Sequence, residues 1–215
     1  MDFNSFIKHI NDIKKSPLGG LSSQFKMAPE MRRQFSEADI EKRNPKESAV
    51  LALFYPDRSH TTRLLLMERA AYQGVHASQI SFPGGKKDRI DIDLQATALR
   101  ETEEETGVLQ NEIHIVRQIT KTYIPPSNFI VTPFIALMEN TPVFRTNHEV
   151  AGLIHLPLND LLDEQAVTVK NLSTSYMKNI DVPCFRFGRN IVWGATAMML
   201  SEIKDLLNPV YHNLL

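Results

Sequence analysis

The chain is poor in cysteine and tryptophan, with one of each, and has only nine glycines in 215 residues. Cys184 alone cannot close a disulfide within the chain, so a reducing, cytoplasmic setting is expected. Its neighbours Phe185 and Phe187 predict a partly buried thiol, and no paired base stands near it to make it a nucleophile. Charge of either sign is not in excess. The formal net charge of −1 excludes the basic footprint of a nucleic-acid-binding surface. No apolar run approaches the roughly 18 residues that a membrane-spanning helix needs, so no membrane partner is expected. The first residues, MDFNSFIKHINDIKK, lack the apolar core of a signal peptide. Internal repeats and low-complexity segments are absent too.

What is present fits one globular domain with an N-terminal extension. Phe3, Phe6, Ile7, Ile10 and Ile13 recur at helical spacing and predict a docking helix. Residues 14–47, rich in Lys, Arg, Pro and Ser, read as an irregular segment. We therefore divide the chain into an N-terminal helix with a wrapping extension, 1–47, and a domain, 48–215. Within the domain, strands are expected at 48–55, 62–67, 113–123, 130–138 and 150–156, with a helical turn at 158–162. A hairpin is expected over 183–193 around Gly188-Arg189, and a last helix over 196–207. Its Ala197, Met198, Leu200, Ile203 and Leu207 are assigned to the core, as is Trp193. The mixed order of strands and helices points to α+β.

The densest chemistry lies in FPGGKKDRIDIDLQATALRETEEETGV, residues 82–108. Leu94 to Thr106 contains neither Pro nor Gly and is built of good helix formers. Asp91 or Asp93 can cap its start, and Gly107 stands where a helix stops. Residues three and four apart share a helix face, which gathers Glu101, Glu104 and Glu105 on one side and sends Glu103 the other way. Like charges at this spacing are unfavourable on a bare helix, and a hard divalent cation reverses that sign. A solvated acidic face is the plainer reading of the glutamates alone. The Gly84-Gly85 turn upstream favours the metal, because glycine lets backbone approach a ligand closely.

This constellation resembles the Nudix box, G-x5-E-x7-R-E-(aliphatic)-x-E-E-x-G-(aliphatic). Arg100-Glu101, Glu104-Glu105, Gly107 and Val108 fall on it in register. Gly85 lies one residue too far from Arg100, Asp91 or Ile92 takes the place of the first glutamate, and Thr102 replaces the aliphatic residue. Upstream, LLLMERAAYQGVHASQISFPGGK is similar to the signature of the coenzyme A pyrophosphatase branch of Nudix hydrolases. Leu65, Leu66, Arg69 and Phe82-Pro83-Gly84-Gly85 match it, and His76, Gln79 and Ser81 fit a form often seen there. Ala70, Gly74 and Ser78 depart from it. The segments from Tyr123 to Phe129 and from Ile191 to Ala197 also look like this branch.

The resemblance implies a Nudix-type α/β/α sandwich with a central mixed β-sheet. It implies hydrolysis of the diphosphate of coenzyme A or acyl-coenzyme A to 3′,5′-ADP and 4′-phosphopantetheine, with Mg²⁺ or Mn²⁺. Glu101 and Glu105 are then the primary metal ligands, with Glu104 and the carbonyl of Gly85 completing the set. Arg100 holds the carboxylates in register. Glu104 and Glu149 are the two candidates for general base. Arg69, His76, Ser81, Gly84, Gly85, Lys86, Tyr123, Ser127 and Asn128 are the candidate substrate contacts, with Lys87 also near the loop. Dimers are frequent among similar proteins, and the N-terminal apolar helix offers a homodimer contact. Two other readings stay open: a Nudix diphosphatase acting on ADP-ribose, NADH or another nucleoside diphosphate derivative, and a non-catalytic nucleotide-sensing domain.

Overall fold

The computed structural model describes residues 1–29, 35–70, 79–173 and 179–212, with side chains described to Pro209. Its centre is an eight-stranded mixed sheet. β1 (Lys46–Pro56) and β2 (Thr62–Arg69) form an antiparallel hairpin. β3 (Ile80–Ser81) extends β2, and the short β4 (Gly84–Lys86) runs antiparallel to β1. After the helix α5 (Leu94–Thr106) come β5 (His114–Gln118), β6 (Thr122–Ile124) and β7 (Phe129–Leu137). β7 lies parallel to β1, from Lys46 opposite Phe129 to Phe54 opposite Leu137. β8 (Val150–Pro157) closes the other side against β2. A smaller antiparallel sheet holds β9 (Val167–Leu172), β10 (Ile180–Phe187) and β11 (Asn190–Trp193), in the order β11-β10-β9.

Side-chain alternation along β1 sends its residues into two cores. Ala49, Leu51, Leu53 and Tyr55 pack with Ala98 of α5 on one face. Ala52 and Phe54 pack on the other face with the long α7 (Gly194–His212), the turn α6 (Leu158–Leu162) and the N-terminal helices. The result is helix, mixed sheet, helix, in agreement with the expected sandwich.

The N-terminal segment holds more structure than its composition predicts. The single expected helix is two, α1 (Phe3–Lys8) and α2 (Ile10–Lys15), broken at His9. Phe3, Phe6, Ile10 and Ile13 are all buried, and the Phe6 ring lies 5.0 Å from that of Phe54. The stretch read as irregular contains α3 (Gly20–Gln24), a 3₁₀ turn at Phe25–Met27 and α4 (Glu37–Lys42), whose Ser36 and Asp39 form a capping box. The long strand expected over 113–123 is also two. Between β5 and β6 the backbone leaves the ladder, because the Thr120 carbonyl accepts from Gln24 and the Thr120 hydroxyl donates to Glu202. The fully buried Glu202 carboxylate is satisfied by the Thr120 hydroxyl together with Gln24 Nε2 and the Gly20 N–H. β9 was not foreseen at all.

The β1–β2 turn gathers several donors on one carboxylate. Asp57 accepts from the N–H groups of Ser59 and Thr61, the Ser59 hydroxyl and Arg63 Nε. Burial pushes this carboxyl up, but the bonds from Ser59, Arg63 and Thr61 outweigh it and hold it well below the usual range. A depressed carboxylate stabilises the fold above its unfolded pKa of about 3.9, and that contribution is lost as pH falls toward the folded value. Asp57→Asn is therefore expected to cost about 1–2 kcal/mol at pH 7. The deficit should shrink in urea titrations below pH 4; a deficit independent of pH would contradict the assignment.

Candidate active site

The two glycines of Phe82-Pro83-Gly84-Gly85 do different jobs. Gly84 has φ +145°, and a Cβ there would lie 2.3 Å from the Ala49 carbonyl oxygen and 2.6 Å from Val50 Cα. Only glycine allows β4 to lie against β1 at this point. The Gly84 N–H then donates to Glu105 Oε2 at 2.8 Å. Gly85 approaches the other carboxylate: a Cβ there would lie 2.4 Å from Glu101 Oε2.

Helix α5 sets the phase of the acidic residues. The Asp93 carboxylate caps it by accepting from the Ala96 N–H, and Gly107 ends it in the left-handed region at φ +74°. Thr97, Ala98, Thr102, Glu105 and Thr106 are its buried residues. Thr102, the departure from the aliphatic position, donates to the Ala98 carbonyl and is fully buried. The three box glutamates are therefore not equivalent. The side chain of Glu105 is 2% exposed, that of Glu101 18% and that of Glu104 54%. Glu103, expected to be solvated, is half-buried, and its carboxylate accepts from the Gln110 N–H.

Arg100 is the hub of the cluster. It donates from Nε and Nη2 to the two oxygens of Asp91, at 2.9 and 3.0 Å. Its Nη1 lies 2.9 Å from Glu101 and 3.1 Å from Glu104, and Nη2 also reaches the Lys86 carbonyl. The Asp91 side chain is 3% exposed, and it accepts from the Thr97 hydroxyl and the Asp88 N–H as well. Ile92 is 90% exposed. The structure thus puts Asp91, not Ile92, where the box has its first glutamate. Arg100 above all, with the Asp88 and Thr97 bonds, holds the Asp91 carboxyl well below the usual range. Asp91→Asn is expected to cost about 2 kcal/mol, because it removes the carboxylate that accepts from both Nε and Nη2 of Arg100. It should also lower turnover; chemical denaturation and steady-state rates check both parts.

A second arginine links two distant segments. Arg69 lies 3.5 Å from Glu105 and 3.6 Å from Glu149. Glu149 stands just before β8, near the irregularity between Glu68 and Arg69, and its carbonyl accepts from the Ala70 N–H. Its side chain is about half exposed.

Beside the carboxylates lies a cavity of about 310 Å³. Arg69, Ser81, Gly84, Gly85, Lys86 and Ser127 line it. Its apolar wall comes from Val50, Ile80, Phe82, Phe129, Trp193 and Met199. Ser81 Oγ is buried with no hydrogen bond among the described residues. Trp193, assigned to the core from sequence, is half-buried and faces this cavity. Tyr123 and Asn128 do not line it. The Tyr123 hydroxyl donates to Asn128 Oδ1, and Asn128 Nδ2 donates to the Arg43 carbonyl, so both side chains brace the loop. Asn128 takes φ +52°, a conformation asparagine tolerates. His76, Gly74 and Ser78 lie outside the described residues.

The donor set fits a hard divalent cation. Five carboxylates, Asp91, Glu101, Glu104, Glu105 and Glu149, face two guanidinium groups, an excess of negative charge. Burial pushes Glu105 up to about 7, against the opposing bond from Gly84, and nearby Glu101 and Glu149 push the same way. Burial raises Glu101 as well. All of these groups are hard oxygen donors, the kind Mg²⁺ and Mn²⁺ take. Among the described residues, no three His, Cys, Asp or Glu side chains are yet gathered tightly enough to enclose an ion. Arg100 and Arg69 engage the carboxylates instead.

A mixed sheet between helices, with an acidic helix facing a Gly-Gly turn, is a Nudix-type arrangement. The chain belongs to this family of hydrolases: the NUDIX domain matches residues 45–174. Members of the family generally use divalent metal ions such as Mg²⁺ or Mn²⁺. A relative from Yersinia pestis (strain Pestoides F), named uncharacterized Nudix hydrolase NudL, is 33% identical over 143 residues, 66% of this chain and 71% of its own length. The fold is similar to that of RenU, a Nudix hydrolase from M. smegmatis, with a TM-score of 0.54 and 15% identity over 77% of this chain and 87% of that one. A MutT/nudix family protein from Enterococcus faecalis gives 0.52 and 15% identity over 90% and 76%. Among the described residues, no helix is long and apolar enough to cross a membrane.

Proposed function

We propose that this Nudix hydrolase cleaves the diphosphate bond of coenzyme A or acyl-coenzyme A, giving 3′,5′-ADP and 4′-phosphopantetheine or its acyl form. The observation that carries the reading is the cavity. Its lining combines Gly84, Gly85, Arg69 and Lys86, close to the glutamates, with apolar surface from Ile80, Phe82, Trp193 and Met199. That suits a ligand whose diphosphate continues into a long organic arm. Arg69, Phe82, Gly84 and Gly85, which belong to the segment that resembles the coenzyme A pyrophosphatase signature, are all part of this lining.

In this reading Glu101, Glu105 and the Gly85 carbonyl hold the cation, with Glu104 as an outer ligand. The cation supplies Lewis-acid polarisation of the diphosphate and a more acidic water. Arg69 balances charge on the diphosphate oxygens, and Lys86 contacts the ligand from the same cavity lining. Arg100, fixed by Asp91, keeps Glu101 facing Gly85. Glu149 is favoured over Glu104 as general base. Its half-exposed carboxylate lies beside Arg69 and Glu105, whereas Glu104 is committed to Arg100. Residues 1–47 act as an extension docked on the catalytic domain 48–215, and the protein works in the cytoplasm.

The test is kcat/KM for coenzyme A, acetyl-coenzyme A, ADP-ribose and NADH with Mg²⁺ and separately with Mn²⁺. Coenzyme A or its acyl form should be preferred at least tenfold. Preference for ADP-ribose or NADH would keep the metal chemistry and remove the substrate assignment. No turnover of any of them would favour a nucleotide-sensing role.

A further inference from the structure

The row of β1 side chains that faces the cavity continues beyond it. Ser48 and Val50 line the wall, and Lys46, two residues earlier on the strand, lies on the same face. The Lys46 ammonium stands 5.8 Å from the centre of the Phe129 ring, itself part of the wall. Across the antiparallel pairing, Ser48 is opposite Lys86, another cavity residue. Two lysines thus flank Ser48 at the mouth. Among the described residues neither ammonium has a carboxylate partner. The nearest acid in sequence, Glu47, belongs to the opposite face, where it holds Lys87 at 3.7 Å. Two cations without carboxylate partners on neighbouring strands repel, and an anion shared by them removes that cost.

We infer that Lys46 and Lys86 form an anion subsite that takes a phosphomonoester carried on the same ligand as the diphosphate. The spacing suits one ribose. Gly85, next to Glu101, pairs with Ala49, three residues from Lys46. Three residues of extended strand span about 10 Å. The inference rests on the diphosphatase reading above, in which this group is the 3′-phosphate of coenzyme A. Lys46 lies outside every motif that suggested that reading.

The experiment compares kcat/KM for coenzyme A and 3′-dephospho-coenzyme A, and calorimetric binding of 3′,5′-ADP and AMP, in wild type, Lys46→Gln and Lys46→Arg. Lys170→Gln, on the remote β9, controls for loss of one surface charge. Wild type should favour the 3′-phosphorylated member of each pair, and Lys46→Gln should cut that preference about tenfold. Lys46→Arg should restore most of it, and Lys170→Gln should leave it alone. Coenzyme A cleavage with a preference that Lys46→Gln does not alter would overturn the subsite and leave the diphosphatase reading standing. Lys46-dependent preference for 3′,5′-ADP over AMP, in a protein that does not cleave coenzyme A, would keep the subsite and discard the reaction.

Discussion

Replacing Glu105 by glutamine is expected to lower turnover about a thousandfold or more while the protein stays folded. Glu105 is the most enclosed acid of the cluster, its side chain 2% exposed, and its environment penalises the charge it carries. In the absence of metal its ionised form costs stability, since burial holds its pKa above the model-peptide value. The glutamine variant without metal should therefore melt no lower than wild type at pH 8, where the carboxyl is ionised. Wild type should gain thermal stability on addition of Mg²⁺ or Mn²⁺, by mass action on the folded state. The variant should lose most of that gain. A variant that keeps its turnover would sink the metal-site assignment; one that unfolds would show that Glu105 serves the fold through Gly84.

The second large effect separates the two neighbouring glycines. Gly84→Ala would force a methyl group against the Ala49 carbonyl and Val50 Cα, in a backbone conformation that L-residues rarely adopt. Backbone cannot yield there as a side chain can, so a loss of more than about 3 kcal/mol is expected. Gly85→Ala meets only the end of the Glu101 side chain. It should fold with near-normal stability and displace the Glu101 carboxylate. Turnover should then fall about a hundredfold, through a misplaced charge. Urea denaturation and steady-state rates on both variants check the contrast. Equal stability losses at the two positions would show that the Gly85 contact is structural.

Some of this site is legible as a string of letters and some is not. The end of α5 is, because Gly107 stands where a run of helix formers stops, and its start is narrowed to a cap at Asp91 or Asp93, of which the structure uses Asp93. The inequality of Glu101, Glu104 and Glu105 is not. Helical spacing puts all three on one side, and only the packing of α5 against β1 and β4 decides which is buried. Asp91 and Ile92 were equivalent candidates until burial separated them. The link through Arg69 joins Glu105 to Glu149, far apart in sequence, by the pairing of β2 with β8. No local pattern carries that contact. β9 escaped notice because Val167 and Val169 are exposed, so its alternation points away from a core. α3 escaped because Gln24 anchors it to Thr120, Thr122 and Glu202, partners remote in the chain. Trp193 read as core because a lone tryptophan at a strand end gives no sign of the cavity it faces.

The central claim is hydrolysis of a coenzyme A diphosphate at the Glu101–Glu105 cluster. Its most direct test is a single incubation of the full-length protein with coenzyme A and Mg²⁺ in ¹⁸O-labelled water, followed by mass analysis of the products. The account predicts 3′,5′-ADP and 4′-phosphopantetheine in equal amounts, with one ¹⁸O atom in one of the two and none in the other. Intact coenzyme A, or 3′-dephospho-coenzyme A with labelled inorganic phosphate, would contradict it.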